Sequence, residues 1–284
     1  MTSQVKTAVL FPGQGSQTPE MRELVARVRP DLLELACDAV GGDPFERVEE
    51  STAYAQPAIF CAALAGWELV RSREFPVALA GHSLGELAAL VAAGAIGESD
   101  GVRLAAERGR LMAEARSGAM VAVRASYEEA GELVAGTEAV LANHNAPRQV
   151  VIAGPEAAIA TVEERCRERA IGTRRLAVSG AFHSPLMAEA SERFAAVLAE
   201  VEVREPGVPV ICGATAAPFS DVRRELAEAI VRPVRFVDVV AELRRRGVER
   251  FVEVGPGRVL QGLVRRIDAS VETVGPPVAE GVGG

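Results

Sequence analysis

The sequence predicts a mixed α/β fold in which helices cover both faces of a mostly parallel β-sheet. The first observation is alternation: short apolar segments bounded by turn residues are followed by longer segments of helical period. The second is composition, because 49% hydrophobic and 25% charged residues are the proportions of a globular protein. The third is length, since 284 residues exceed the usual single domain and leave room for a small insertion.

The larger part of the chain contains the predicted strands of the parallel sheet, each of them short and apolar. These strands span residues 7–11, 77–80, 208–211 and 250–254. Helical periodicity covers residues 56–73, 86–93, 99–115, 186–200 and 234–246. Because helices separate these strands, we expect the strands to run parallel.

The middle of the chain has a different order of elements. Predicted strands cover residues 119–124, 139–143, 150–153 and 174–178, and predicted helices cover residues 127–134 and 157–169. The resulting order, β-α-β-β-α-β, is that of a ferredoxin-like fold. We therefore predict a small ferredoxin-like subdomain at residues 119–182, inserted in a large α/β catalytic domain made of residues 1–118 and 183–284. The tail from Gly275 is expected to be frayed or extended.

Charge and hydropathy argue against several function classes. The net charge of −8 argues against nucleic acid or an anionic membrane as a partner. The longest apolar run, residues 87–96, is too short to cross a bilayer, and the first residues lack the apolar core of a signal peptide. We therefore expect a cytoplasmic protein with no membrane or nucleic-acid partner.

The spacing of cysteines and histidines gives no sign of a metal site. The cysteines are scattered and form no C-x-x-C pair, at Cys37, Cys61, Cys166 and Cys212. Free thiols in a reducing cytoplasm are the expectation. The three histidines, His82, His144 and His183, also lack the spacing of zinc ligands. No metal is predicted.

The strongest catalytic signal is the motif Gly81-His82-Ser83-Leu84-Gly85, which lies between a predicted strand and a predicted helix. In that context G-x-S-x-G forms a tight turn that projects the serine hydroxyl, and the glycines keep the space around it open. The N–H of Leu84 and the start of the helix face the same space, which favours an oxyanion. Ser83 is therefore predicted to be a nucleophile on an α/β-hydrolase-like domain. The alternative is a glycine-rich turn with an incidental serine.

A serine nucleophile needs a base, and His183 is the best candidate. It precedes Ser184-Pro185, a good helix start that would fix the imidazole. His144 is predicted to be a solvated loop residue. The only aspartate between Ser83 and His183 is Asp100, which is predicted to cap a helix. A Ser–His dyad, with the histidine oriented by a backbone carbonyl, therefore fits better than a triad.

Arg108 lies on the apolar face of its predicted helix. It is four residues from both Leu104 and Met112, on the stripe that would face the core. A buried guanidinium needs a partner, and the sequence offers no obvious fixed carboxylate. An anionic ligand is the predicted partner. The alternative is an arginine that reaches solvent at a subdomain interface.

Four motifs, in this order along the chain, resemble those of one family. They are Phe11-Pro12-Gly13-Gln14-Gly15-Ser16-Gln17, Gly81-His82-Ser83-Leu84-Gly85-Glu86, Gly180-Ala181-Phe182-His183-Ser184 and Glu253-Val254-Gly255-Pro256-Gly257. Together they resemble the malonyl-CoA:acyl-carrier-protein transacylase family, which includes the acyltransferase domains of polyketide and fatty-acid synthases. The resemblance extends over residues 7–267, nearly the whole chain.

The resemblance implies a role for each residue around the dyad. Ser83 would be the nucleophile, and His183 its base and later its acid. The backbone N–H groups of Gln14 and Leu84 would form the oxyanion hole. Arg108 would grip the free carboxylate of a malonyl group with two parallel hydrogen bonds.

The same resemblance implies further roles around the substrate. In the family, the carbonyl of the residue four before a late proline orients the histidine. Here that residue is Ala229, before Pro233, where the family commonly has glutamine. Phe182 matches the malonyl-preferring form of its motif, because the ring would crowd an α-methyl substituent. Polar positions near the substrate are matched by Gln56, Asn143, Asn145 and Gln149.

The resemblance also implies the reaction. The chain would move a malonyl group from malonyl-CoA to the phosphopantetheine thiol of an acyl carrier protein, through a malonyl-serine ester, in fatty-acid biosynthesis. It would work as a monomer, with a CoA thioester and a carrier protein as partners and no tightly bound cofactor. Three alternatives remain: a discrete acyltransferase of a polyketide pathway, a proofreading acyl-carrier thioesterase, and a non-enzymatic scaffold. The scaffold would be expected to lose Ser83 or His183, and both are present.

Overall fold

The computed structural model describes residues 5–115, 118–178 and 180–276. Within these residues, a parallel sheet contains β1 (Thr7–Phe11), β2 (Ala78–Gly81), β7 (Val210–Ile211), β8 (Arg250–Glu253) and β9 (Glu272–Val274). The strand order is β7-β2-β1-β8-β9, and every neighbouring pair is parallel. The strand β1 therefore lies at the centre of this sheet, beside the strand that leads to Ser83.

A second sheet is formed by the middle of the chain. It contains β3 (Ala119–Val123), β4 (Val140–Ala146), β5 (Gln149–Gly154) and β6 (Thr173–Arg175). The order is β4-β5-β3-β6, and every neighbouring pair is antiparallel. With α6 (Tyr127–Val134) and α7 (Glu156–Glu168), the order of elements is β-α-β-β-α-β. The predicted fold class is confirmed, while the division into domains at residues 118 and 183 stays a prediction.

The remaining helices pack around these sheets. They are α1 (Met21–Val28), α2 (Pro30–Val40), α3 (Thr52–Glu68), α4 (Gly85–Ala92), α5 (Glu98–Glu114), α8 (Ala188–Ala199), α9 (Val222–Glu228), α10 (Phe236–Arg245) and α11 (Val259–Ile267), with a 3₁₀ turn at Pro185–Met187.

The parallel sheet is buried on both faces, and every residue of β1 is buried. Val9 and Phe11 belong to one apolar cluster, which also contains residues of α3 and α4. Ala8 and Leu10 belong to a second cluster, with residues of α10 and α11. This alternation is the period of a strand covered by helices on both sides. It fixes the ends of β1 and β2 side by side, where Phe11 pairs with Gly81.

Several predicted boundaries are wrong, and the errors have physical causes. The segment before residue 41 forms α1 and α2, which the sequence analysis missed. Pro30 lies at the first turn of α2, where a proline needs no N–H partner and does not break the helix. The helix predicted from residue 56 begins at Thr52, because the Ser51 side chain accepts the N–H of Ala53 and caps it. Helices α9 and α11 and strand β9 were also missed.

Two predictions for single residues are also wrong. His144 lies in strand β4 rather than in a loop, since its N–H donates to the carbonyl of Val234 and its ring lies 4.7 Å from that of Tyr127. Asp100 is inside the first turn of α5 and pairs with Arg103, so it is no cap. The tail predicted to be extended from Gly275 lies mostly outside the described residues.

Candidate active site

Ser83 occupies a strained turn between β2 and α4. Its φ of 55° lies in the left-handed region, which a non-glycine residue adopts at a cost of about 1–3 kcal/mol. A Cβ on Gly81 would lie 2.0 Å from the carbonyl carbon of Gly85, and a Cβ on Gly85 would lie 1.9 Å from the carbonyl oxygen of Phe11. Neither position tolerates a side chain, so the two glycines of the motif are what allow this turn.

The His183 imidazole faces the serine. The Ser83 hydroxyl lies 2.8 Å from Nε2 of His183. Nδ1 lies 2.8 Å from the carbonyl of Ala229 and 3.0 Å from that of Arg232. Since carbonyls only accept hydrogen bonds, Nδ1 holds the proton, and the lone pair of Nε2 is left to accept from the serine. The structure thus places the two residues in the arrangement of a nucleophile and its base.

The free carbonyl of Ala229 has a simple origin in the sequence. Ala229 follows the last turn of α9, and in a continuing helix its carbonyl would accept the N–H four residues later. That residue is Pro233, which has no N–H. The carbonyl is therefore available to His183. The second acceptor, the carbonyl of Arg232, was not predicted, since a backbone carbonyl has no signature in the residue type.

The surroundings of His183 keep its imidazole neutral. The residue is buried, with 4% of its surface exposed. Burial is the main cause that lowers its pKa, and the charge of Arg108 is the second; together they lower the pKa to about 3. At neutral pH the imidazole is uncharged, which is the form that can accept a proton.

The loop after β1 lies against the serine turn. A Cβ on Gly13 would be 2.3 Å from the carbonyl oxygen of His82 and 3.7 Å from the nitrogen of Leu84. Gln14 is the next residue of this loop, so its backbone is next to the turn. Leu84 lies at the start of α4, where the first N–H groups of a helix have no partner inside the helix. This places both predicted oxyanion donors beside Ser83.

Arg108 is buried beside the serine. Only 5% of its surface is exposed. Its Nη2 donates to Oγ of Ser83 over 3.1 Å, and its Nη1 donates to Oε1 of Gln56 over 2.7 Å. Burial lowers its pKa to about 10, so it stays charged at neutral pH. Among the described residues no carboxylate comes within 4.0 Å of its guanidinium, so it has no ion-pair partner in contact there. The buried Glu86 carboxyl acts on it from further away and raises its pKa against the effect of burial.

Gly109 is a further part of the site that the sequence analysis missed. A Cβ on Gly109 would lie 2.7 Å from the carbonyl oxygen of Thr52 and 3.2 Å from Cβ of Gln56. The glycine therefore allows α5 to approach α3 closely enough for Arg108 to reach Gln56. The position of Gly109 in the sequence does not indicate this role, because the role depends on α5 packing against α3.

The other polar residues predicted near the substrate each have a partner within the protein. Asn145 lies on β4 and its Oδ1 is 2.7 Å from Nε2 of His82, so the His82 side chain is bonded to β4. Asn143 is buried and its backbone pairs with Val234, while Gln149 accepts a hydrogen bond from Arg266 on α11.

Phe182 lies directly before His183 and is buried. A Cβ on Gly180 would lie 2.9 Å from the Phe182 ring, so the glycine leaves room for that ring. The substrate-binding roles of Phe182, Asn143, Asn145 and Gln149 stay predictions.

The second and fourth motifs each contain a buried glutamate that accepts backbone hydrogen bonds, Glu86 and Glu253. The Glu86 carboxylate accepts the N–H of Gly213, and burial raises its pKa to about 7. The Glu253 carboxylate accepts the N–H groups of Leu260 and Gln261, over 3.0 and 2.7 Å, and so caps α11. Burial raises the pKa of Glu253 to about 7 as well. These residues hold the segments around the site in place, a role that the sequence analysis did not assign.

The described parts of the chain contain neither a metal-binding cluster nor a membrane-spanning helix. Histidine, cysteine, aspartate and glutamate side chains in these parts form no group of three or more that could hold a metal ion. Nor does any helix there have the length and apolar character needed to cross a membrane.

Fold and site together define a class of protein, the acyl transferases. The chain belongs to the family of acyl transferase domains, whose model matches residues 43–280. The resemblance that the four motifs predicted is thereby confirmed.

Similar proteins include long polyketide biosynthesis proteins and shorter transacylases. The polyketide biosynthesis protein ThaF of Burkholderia thailandensis is 40% identical over 281 residues, which cover 92% of this chain and 24% of ThaF. The malonyl CoA-acyl carrier protein transacylase of Bacillus subtilis is 36% identical, over 95% of this chain and 92% of the relative. The chain thus spans about a quarter of the first relative and nearly all of the second.

A solved structure shows the same fold. It is described as a type II polyketide synthase acyl carrier protein in complex with its malonyl-transacylase, PlMCAT:AntF. This chain superposes on it with a TM-score of 0.88 and 32% identity, covering 96% of this chain and 97% of that chain.

Proposed function

We propose that this chain transfers a malonyl group from malonyl-CoA to the phosphopantetheine thiol of an acyl carrier protein. The single observation that supports it most is Arg108, which is buried, charged and within 3.1 Å of the Ser83 hydroxyl. A substrate with a free carboxylate next to its thioester supplies the missing partner. The malonyl transacylases among the relatives and solved structures support the same substrate and carrier.

In the first half of the reaction, Ser83 attacks the thioester carbonyl of malonyl-CoA. The hydroxyl proton moves to Nε2 of His183, and the Oγ–C bond forms. The negative oxygen of the tetrahedral intermediate accepts hydrogen bonds from the N–H groups of Gln14 and Leu84. The C–S bond then breaks, CoA leaves as the thiol with the proton from His183, and malonyl-serine remains.

In the second half, the thiol of the carrier's phosphopantetheine attacks malonyl-serine. His183 takes the thiol proton and returns it to Oγ of Ser83 as the ester bond breaks. The sequence of steps is ping-pong, because CoA leaves before the carrier thiol reacts. Both steps exchange an acyl group between sulfur and oxygen, so the proposal includes malonyl-CoA as substrate and no bound cofactor.

The proposed binding of the malonyl carboxylate also affects the base. The charge of Arg108 is one of the two causes that lower the pKa of His183. A carboxylate bound to Arg108 neutralises that charge, so the pKa of His183 rises when a carboxylated substrate is in place. The base therefore becomes stronger with malonyl-CoA bound than with an acyl-CoA that lacks the carboxylate.

The similar proteins support one pathway and leave two alternatives. We infer fatty-acid biosynthesis from the similarity to malonyl CoA-acyl carrier protein transacylases of three bacteria. A discrete acyltransferase of a polyketide pathway is the alternative, supported by the matches to ThaF and to the carrier complex. A proofreading thioesterase would use the same dyad with water as acceptor. The monomeric state and cytoplasmic location stay predictions of the sequence.

The test is an acceptor experiment with labelled malonyl-CoA. The protein is mixed with a holo carrier protein, with the apo form that lacks phosphopantetheine, or with buffer alone. The proposal predicts label on the holo carrier, none on the apo carrier, and little free malonate in buffer. Release of malonate at the same rate with and without the holo carrier would show a hydrolase.

A further inference from the structure

A chain of hydrogen bonds joins Arg108 to the loop after β1, and Thr52 lies in the middle of it. Nη1 of Arg108 donates to Oε1 of Gln56 over 2.7 Å. Nε2 of Gln56 donates to Oγ1 of Thr52 over 3.1 Å. Oγ1 of Thr52 donates to Oε1 of Gln14 over 2.6 Å. The residue that binds the carboxylate in the proposed function is thus linked to the loop that supplies an oxyanion donor.

The Arg108 guanidinium fixes the direction of every bond in this series of hydrogen bonds. A guanidinium only donates, so the side-chain oxygen of Gln56 must face Arg108. The amide nitrogen of Gln56 must then face Thr52, whose oxygen accepts. The Thr52 proton is left to donate to Gln14, so the hydroxyl uses both its acceptor and its donor capacity in known directions.

The fold places the Thr52 hydroxyl within hydrogen-bond distance of both Gln56 and Gln14. Thr52 and Gln56 are one helical turn apart on α3, so their side chains share a face. Thr52 is 5% exposed and Gln56 is 1% exposed. The Thr52 backbone is fixed from the other side, because Gly109 of α5 packs against its carbonyl. The hydroxyl is therefore presented from a rigid and buried position.

The other side-chain hydrogen bonds of the Gln14 loop, among the described residues, lie within the loop. The Ser16 hydroxyl donates to the carbonyl of Gly13 over 2.7 Å, and the N–H of Gly15 donates to Oε1 of Gln17 over 2.8 Å. These bonds shape the loop but do not attach it to the rest of the protein. The bond from Thr52 joins the Gln14 side chain to the helix that also positions Gln56, and it adds to the packing of Gly13 against the serine turn.

We propose that Thr52 is a positioning residue for the oxyanion hole. Its hydroxyl holds the side chain of Gln14 and so fixes the direction of the Gln14 backbone N–H. The inference rests on the proposed malonyl transfer, in which that N–H stabilises the tetrahedral intermediate. Thr52 itself touches no reacting atom. Its effect is on the rate of the chemical step rather than on the binding of malonyl-CoA.

The experiment compares Thr52→Val with Thr52→Ser. Valine has nearly the shape of threonine without the hydroxyl, and serine keeps the hydroxyl. The rate of malonyl-serine formation is measured in single turnovers over a range of malonyl-CoA concentrations. Thr52→Val should lower the limiting rate about tenfold, as expected for the loss of one hydrogen bond that matters in the transition state. The half-saturating malonyl-CoA concentration should change less than about twofold, and Thr52→Ser should restore most of the rate.

Ser51→Ala is the matched control, since Ser51 caps the same helix end and has no bond to the hydrogen-bond chain. It should lower the melting temperature without lowering the rate. Gln14→Met breaks the same bond from the other side and keeps the backbone N–H. It should slow the reaction as Thr52→Val does, and the double variant should be no slower than either single one. Gln14→Met also serves if Thr52→Val does not fold.

Three results would overturn the inference. One is a limiting rate for Thr52→Val, or for Gln14→Met, within about twofold of the wild type. Another is a raised half-saturating malonyl-CoA concentration with an unchanged limiting rate. That result would mean that Thr52 supports substrate binding, through Gln56 and Arg108, and not the oxyanion hole. The third is a Thr52→Ser variant as slow as Thr52→Val. If the wild type itself forms no malonyl-serine, the proposed function has failed, and the inference falls with it.

Discussion

Arg108 donates a hydrogen bond from Nη2 to Oγ of Ser83, over 3.1 Å, at the same time as that hydroxyl lies 2.8 Å from Nε2 of His183. The group proposed to bind the substrate's carboxylate therefore also touches the proposed nucleophile. A malonyl group has its carboxylate two carbons from the thioester carbon, so one compact site serves both ends of the acyl group. Selection of the substrate and the chemical step are expected to depend on the same arginine.

Replacement of Arg108 should change which acyl group is transferred. Arg108→Ala removes the partner of the carboxylate and enlarges the pocket, so malonyl transfer should fall while acetyl transfer is kept or increased. The loss for malonyl-CoA should be about 2–4 kcal/mol, or roughly 30- to 1,000-fold in kcat/KM. Arg108→Lys should be intermediate at best, because an ammonium cannot make two parallel hydrogen bonds. Competition between malonyl-CoA and acetyl-CoA measures the ratio.

Arg103→Ala is the matched control for that experiment. Arg103 lies on the exposed side of the same helix and pairs with Asp100. Its replacement should leave the ratio of malonyl to acetyl transfer unchanged. An unchanged ratio in Arg108→Ala as well would show that Arg108 is structural.

The two histidines outside the serine motif should differ in importance. His183→Ala removes the base and should slow malonyl-serine formation by about 10²- to 10⁴-fold. His144 lies on β4 against Tyr127, and no described contact joins it to the dyad. His144→Ala should therefore slow the step no more than about threefold, and stopped-flow acylation of both variants measures the difference. Equal losses would mean that the base is wrongly assigned.

The pH dependence of acylation should show no loss near the ordinary pKa of histidine. Because the pKa of His183 is lowered to about 3, the neutral base persists as the pH falls from 8 to 5. A base with a pKa of about 6.5 would lose roughly 30-fold in activity over that range. The kcat/KM for malonyl-serine formation in Glu86→Gln, which reports the free enzyme, should therefore stay nearly flat. That background removes Glu86, whose own pKa is about 7.

The same lowered pKa has a consequence for stability. The unfolded chain takes up a proton on His183 near pH 6.5, while the folded chain does not until about pH 3. The contribution of His183 to the free energy of unfolding is therefore present above pH 6.5 and is lost as the pH falls below it. For the acylation test, a kcat/KM for malonyl-serine formation in Glu86→Gln that falls tenfold or more between pH 7 and 5 would contradict the lowered pKa of His183.

The sequence predicted those parts of the site that depend on residue type. Gly81 and Gly85 cannot be replaced without collision, so the motif itself contains the geometry of the turn. The order of elements in the second sheet was likewise predictable, because the period of its strands and helices differs clearly. Ala229 was assigned through the family resemblance, and the structure supplies a physical basis in the missing N–H of Pro233.

Other parts could not be predicted because they depend on how helices meet. Thr52 and Gln56 share a helix face only because α3 begins at Thr52, four residues before the start that the sequence predicted. Gly109 has a role only once α5 is known to pack against Thr52. The hydrogen bond between the Arg232 carbonyl and His183 could not be predicted either, because every residue type has a backbone carbonyl.

In the proposed reaction Ser83 carries the malonyl group, and intact-mass spectrometry of the acylated protein measures this without an assay of transfer. Wild-type protein incubated with malonyl-CoA in the absence of a carrier should gain the mass of one malonyl group. Peptide mapping should place the group on Ser83, and a holo carrier should remove it. Ser83→Ala should gain nothing under the same conditions. A malonyl adduct that persists in Ser83→Ala, or a wild type that never acquires one, would contradict the account.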